Sequence, residues 1–106
     1  MDAQKVLAIK RVKEYLKELR KHEIKIEKVY LYGSYAKGNY HKDSDIDIII
    51  ISKDFSGSRF FDSLKITRFR RSIDVRIEPT AYKPEDFTDS DPLAVEVMAT
   101  GEEIKL

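Results

Sequence analysis

Two aspartates, Asp45 and Asp47, stand one residue apart at the head of an isoleucine run, within the stretch LYGSYAKGNYHKDSDIDIIII from Leu31 to Ile51. On a strand, residues i and i+2 face the same way, ~6.6 Å apart at Cα. Their oxygens can converge on one hard cation or bracket a pair of ions. Without a cation, neighbouring carboxylates repel and one of them holds its proton more tightly. The pair therefore makes most sense with magnesium beside it. A third acid, Asp74, sits between Ile73 and Val75 in another β-type segment. If the two strands are neighbours, Asp74 falls beside the pair. There it can complete a two-metal site or take a proton from an incoming hydroxyl.

Seen alone, an Asp-x-Asp is equally well explained as a loop residue followed by a solvent-facing one. The residues before it tip the balance. Gly33 lets the backbone pass close to a ligand with no Cβ in the way. Ser34 offers a hydroxyl, and the amides after it can point at an anion if a helix starts there. Lys37 adds a positive charge for phosphate oxygens. Strand, Gly-Ser, polar loop and Asp-x-Asp strand together describe a site for a nucleoside triphosphate and magnesium.

These residues must be placed by a small number of elements. Residues 2–22 read as a helix, with Val6, Ile9, Val12, Leu16 and Leu19 at steps of three or four. Residues 26–32 read as a strand, 34–37 as a short helix capped by Ser34, and 38–44 as loop. Residues 45–51 are the clearest strand, and their apolar end marks a central strand covered on both faces. A turn region at 53–58 leads to a helix over 59–71, capped by Ser58, with Phe60, Phe61, Leu64 and Ile66 facing inward. Residues 73–78 alternate as a strand that Pro79 ends, and 80–87 read as turn. Asp91-Pro92 opens a helix over 92–100, and Gly101 stands where a helix end favours positive φ. Residues 103–106 suggest a last short strand.

The quoted residues resemble the minimal nucleotidyltransferases of the polymerase β superfamily. That pattern is a hydrophobic residue, Gly-Ser, a loop, Asp-x-Asp, and later an acid between hydrophobics. Here Tyr32-Gly33-Ser34, Asp45-Ile46-Asp47 and Ile73-Asp74-Val75 match it, with Asp45 twelve residues after Gly33. The resemblance implies an α/β (α+β) nucleotidyltransferase fold spanning residues 1–106 as one domain. Its mixed sheet would have three or four strands, with helices packed mainly on one face. It implies two magnesium ions on Asp45, Asp47 and Asp74, with Asp74 as the third catalytic acid. Gly33, Ser34 and Lys37 would meet the triphosphate of ATP. The family's usual loop has arginine where this chain has Lys37, which keeps the charge but not the two-pronged hydrogen bonding. The resemblance further implies transfer of AMP from ATP to a hydroxyl, such as a tyrosine of a helical HEPN-type partner in a toxin–antitoxin pair. A non-catalytic antitoxin module and an RNA-directed transferase are the rival readings.

Composition narrows the rest. With 106 residues the chain is one domain, and 42% hydrophobic content argues against disorder. A net charge of +1 provides no basic excess for non-specific nucleic-acid binding. Without cysteine there is no disulfide and no thiolate zinc site. No apolar run approaches a membrane span and no signal peptide is seen, so cytoplasmic residence is expected. Nothing in so short a chain closes over the nucleotide, which implies a homodimer or a separate helical subunit. Tyr30 and Tyr32 should pack on the sheet, while Tyr35 and Tyr40 cover loop surface. His22, His41 and the basic stretch of Lys65, Arg68, Arg70 and Arg71 read as surface, and Arg76 as the ion-pair partner of Asp74.

Overall fold

The isoleucine run is the centre of the molecule. In the computed structural model, which describes residues 2–106, it forms strand β2, Ile46–Ile51, and every residue of that strand except Asp47 is buried. It lies between β1 (Lys28–Tyr32) and β3 (Ile77–Tyr82) in a four-stranded sheet of order β3-β2-β1-β4, where β4 is Glu102–Glu103. β1 runs antiparallel to both β2 and β4, and β3 runs parallel to β2. The sheet is therefore mixed, as expected. Strand alternation sends Ile46, Ile48 and Ile50 into the larger cluster, which contains Val12, Leu16 and Leu19 of helix α1 (Ala3–Lys21) and Ile66 of α3 (Arg59–Thr67). Ile49 and Ile51 face the other way, onto Tyr82 and onto Val97 of helix α4 (Pro92–Thr100).

Helix α1 begins at Asp2, whose carboxylate accepts from the Lys5 amide at 3.0 Å. It ends without glycine because Glu23 adopts φ 65° and the Ile24 amide folds back to the Leu19 carbonyl at 3.3 Å. Ala8 and Tyr15 complete its buried stripe, and Val6 lies outside it. Ser58 caps α3 as expected, but the helix is rotated relative to the expected phase. Phe60, Phe61 and Leu64 are 70%, 67% and 60% exposed, and the inward face carries Asp62 and Ile66. Asp62 can be buried because the Ser56 and Gly57 amides and the Ser56 hydroxyl all donate to it. Those bonds set the rotation of the helix, and a 3₁₀ segment, Arg68–Ser72, continues it.

The strand expected at 73–78 sits four residues later. Asp74 and Val75 belong to a turn, and Pro79 lies inside β3 rather than ending it. Proline is tolerated there because β3 is an edge strand. The carbonyls of Arg76 and Tyr82 accept from Ile46 and Ser52 at the two ends of β2, so the backbone groups of residues 77, 79 and 81 face outward. Arg70 donates to the Ile77 carbonyl at 2.9 Å, Pro79 has no N–H, and the Ala81 amide donates to the Ser63 hydroxyl at 2.9 Å. The exposed edge is closed to strand addition at each of these positions.

Asp91 caps α4 as expected, accepting from the Ala94 amide at 3.0 Å. Gly101 follows the helix with φ −80°, not with positive φ. Its absent side chain serves a close approach. A Cβ there would lie 2.6 Å from the Val97 carbonyl oxygen and 3.1 Å from that of Leu31. Gly101→Ala is therefore expected to destabilise the fold by about 1–3 kcal/mol, as overpacking does. Urea denaturation measures this, and an unchanged midpoint contradicts the close-approach account.

Candidate functional site

The antiparallel register places Tyr32 opposite Asp47, and the chain turns immediately afterwards at Gly33. Gly33 has φ 71° and ψ −148°, a region that side chains rarely adopt, and an added Cβ would collide with the Asp47 carboxylate. The turn starts helix α2, Ser34–Lys37, and Gly38 closes it in the left-handed region. Gly33 is the N-cap, so Ser34 is the first helical residue and its side chain caps nothing. Beside the turn is a hollow of about 370 Å³ lined by Ser34, His41, Asp43, Ser44, Asp45 and Asp47. Gly33, Ser34, Asp45 and Asp47 thus come together. Lys37 is exposed and does not line the hollow.

The loop over the hollow is tied down from both sides. The His41 amide donates to Ser44 Oγ at 2.8 Å, and Gln4 of α1 donates to the His41 carbonyl at 2.7 Å and the Tyr35 hydroxyl at 3.0 Å. Tyr35 is fully buried and stacks on Tyr40, so it anchors the turn rather than covering loop surface. Tyr40 in turn donates to the Asp2 carboxylate. Asp43 is an acid of this hollow that strand patterning does not single out, because it lies in loop.

Asp74 does not line the hollow that holds Asp45 and Asp47. Its carboxylate accepts from the Arg76 amide at 3.0 Å, from Arg76 Nε at 3.1 Å and from Arg76 Nη2 at 2.8 Å. Those bonds, led by the Arg76 side chain, hold its pKa below the usual carboxylate value. Arg76 also donates to the Lys42 carbonyl at 3.1 Å. The Asp74–Arg76 pair thus braces the loop against the start of β3, and the ion pair expected of Arg76 is present.

The acid opposite Asp47 is Glu78. The two are register partners in the parallel pair, so their side chains share a face. Arg70 bonds Glu78 Oε1 at 2.8 Å with the same nitrogen that meets the Ile77 carbonyl. One arginine thereby orients Glu78 and closes the sheet edge. The signal that could have found Glu78 is alternation running on past the proline: Ile77, Pro79 and Ala81 on one face, Glu78, Thr80 and Tyr82 on the other.

Burial raises the pKa of Asp47, and the negative charges of Asp45 and Glu78 raise it further. Such a like-charged cluster fits a divalent cation. Among the described residues no three His, Cys, Asp or Glu side chains are gathered so as to hold a metal by themselves.

The raised pKa has a consequence for stability. Folded metal-free protein retains a proton on Asp47 at a pH where the unfolded chain has released it. Stability conferred by that proton is present at low pH and is lost as pH rises through the raised value. At neutral pH the charged group opposes folding. Metal-free Asp47→Asn is therefore expected to melt at a higher temperature than the natural protein at pH 7, with the gap closing in acid. Melting curves across pH measure this, and a lower melting temperature at pH 7 contradicts it.

Comparison with known proteins identifies the family and the fold. Residues 9–100 match the family model described as a nucleotidyltransferase domain. The provisionally named protein adenylyltransferase MJ0141 of Methanocaldococcus jannaschii is 34% identical over 77 residues, covering 66% of this chain and 78% of that protein. The protein adenylyltransferase MntA of Shewanella oneidensis is 44% identical over 39 residues, covering 37% of this chain and 28% of MntA. A crystal structure of a provisional nucleotidyltransferase from Sulfolobus solfataricus superposes with TM-score 0.62 at 27% identity, covering 77% of this chain and 72% of that one. A toxin–antitoxin crystal structure with AMP-PNP shares the fold, with TM-score 0.57 at 22% identity over 92% of this chain and 72% of that one. By its Gly-Ser turn, its acidic strand and its match across most of its length, this chain belongs to the nucleotidyltransferase domain family.

Proposed function

We propose that this protein transfers AMP from ATP to a hydroxyl group, with magnesium held at Asp45 and Asp47 and with Glu78 as the third carboxylate. The acceptor we propose is a tyrosine of a helical HEPN-type partner protein. The observation that carries the reading is the row of acids across β2 and β3, adjoining the turn where Gly33 leaves room for the Asp47 carboxylate. The protein adenylyltransferase names of the relatives and the AMP-PNP in the toxin–antitoxin neighbour support ATP and a protein acceptor.

In this reading the triphosphate lies along the hollow beside Gly33 and Ser34, where the Ser34 hydroxyl can donate to a phosphate oxygen. When bound, magnesium supplies positive charge to the phosphoryl oxygens and steadies the leaving pyrophosphate. The Glu78 carboxylate accepts the acceptor's hydroxyl proton. The acceptor oxygen forms a bond to the α-phosphorus, and the bond from that phosphorus to the bridging oxygen breaks. Pyrophosphate leaves with the electron pair. Arg70 holds Glu78 in position, and the Asp74–Arg76 pair steadies the loop over the phosphates.

The test is label transfer from α-labelled ATP with magnesium, with extract of the source cells as the acceptor. Asp45→Asn and Asp47→Asn are expected to abolish transfer. Glu78→Gln should lower kcat by roughly 10²–10⁴-fold, the usual range for a lost general base. Asp74→Asn should keep transfer within about tenfold, with a lower melting temperature as one arginine partner is weakened. Full activity in Asp47→Asn overturns the proposed metal site. Loss in Asp74→Asn with Glu78→Gln intact returns the third role to Asp74.

A further inference from the structure

The row of acids continues into a second and larger depression. It is about 910 Å³, runs along the outer side of β3, and is walled by α3 and the start of α4. Glu78 and Thr80 form part of its floor, and Phe60 and Leu64 line it from α3. We infer that this groove seats the acceptor, a polypeptide segment that presents its hydroxyl beside Glu78 with an apolar residue against Phe60 and Leu64 and a basic residue nearby. The inference rests on the proposed nucleotidyl transfer and names where its acceptor binds and what chemistry that acceptor has.

Three observations lead there. The first is direction. β1 and β3 flank β2 on opposite sides, and the Gly33–Ser34 turn follows β1. In an in-line displacement the attacking and leaving oxygens lie on opposite sides of the phosphorus. With pyrophosphate toward Ser34, the attacking oxygen comes from the β3 side, where Glu78 opens into the groove. The second is charge. Five carboxylates line the groove (Asp62, Glu78, Glu85, Asp86 and Asp91) against two cations, Arg59 and Lys83. Arg59 is paired with Asp91, and Lys83 lies 3.9 Å from Glu85. Even with Arg70 behind Glu78, acids outnumber cations, which repels a phosphate backbone and suits a cationic segment. The third is apolar exposure. Phe60 and Leu64, 70% and 60% exposed, line the same groove as Glu78. Because Arg70, Pro79 and Ser63 close the β3 edge, the segment is held by side-chain contacts and not as an added strand.

The experiment uses the full chain, isotopically labelled for NMR and loaded with magnesium and a non-hydrolysable ATP analogue. Three probes are titrated: a tyrosine peptide with leucine and lysine neighbours, the same peptide with glutamate neighbours, and an adenine oligoribonucleotide. The first should shift the resonances of Phe60, Leu64, Thr80 and Asp86 and bind at least about tenfold more tightly than the second. A Phe60→Ala, Leu64→Ala double variant, altered only at exposed positions, should raise its Kd roughly tenfold. The affinity of the double variant for the ATP analogue should be unchanged. Preference for the acidic peptide, shifts confined to other surfaces, or tighter binding of the oligoribonucleotide overturns the inference while nucleotide binding at the hollow leaves the transfer reading standing. Absence of magnesium-dependent analogue binding removes both.

Discussion

The parallel register between β2 and β3 is the constraint on which the acidic end of this molecule depends. Asp47 meets Glu78 because Ile46 pairs with Ile77. Slipping that pairing by one residue would turn Glu78 to the opposite face and leave Asp47 beside an apolar side chain. The register is pinned by the five isoleucines of β2, buried on both faces, which cannot exchange inward and outward positions without loss of packing on either side. Arg70 adds a second pin from outside, tying both the Ile77 carbonyl and the Glu78 carboxylate to the segment that follows α3.

Binding demands and stability demands are opposed at this end of the sheet. Burial raises the pKa of Asp47, and the neighbouring charges of Asp45 and Glu78 raise it further. Asp74 shows the reverse condition. Three bonds from Arg76 hold its carboxylate as a brace between the loop and the start of β3. Asp47 and Asp74 thus sit in opposite electrostatic surroundings.

The arginines distribute similar chemistry to different tasks. Arg76 holds a loop, Arg70 holds an acid and a sheet edge, and Arg59 lies 4.1 Å over the Tyr82 ring while reaching Asp91 at the start of α4. A run that reads as a solvated basic face therefore contains one residue, Arg70, that organises the site. The planar fork of guanidinium permits this, since a single side chain can meet a carbonyl and a carboxylate together.

The sequence alone determined the element order, the central isoleucine strand, the caps at Asp91 and Ser58, the Gly33–Ser34 turn and the placing of Asp45 and Asp47 on one face. Each of these follows from local rules: period-two alternation, capping, and the conformational freedom of glycine. Tertiary structure decided the rest. Pro79 looks like a stop in a linear reading, yet an edge strand has no partner for the missing N–H, so β3 begins later and Glu78, not Asp74, comes to lie beside Asp47. Helix α3 is rotated by the amides that satisfy buried Asp62, which leaves Phe60, Phe61 and Leu64 outside. Gly101 is dictated by the approach of Leu31 from another strand. In all three, the deciding partner is distant in the chain or is a backbone group, and neither leaves a trace in local residue spacing.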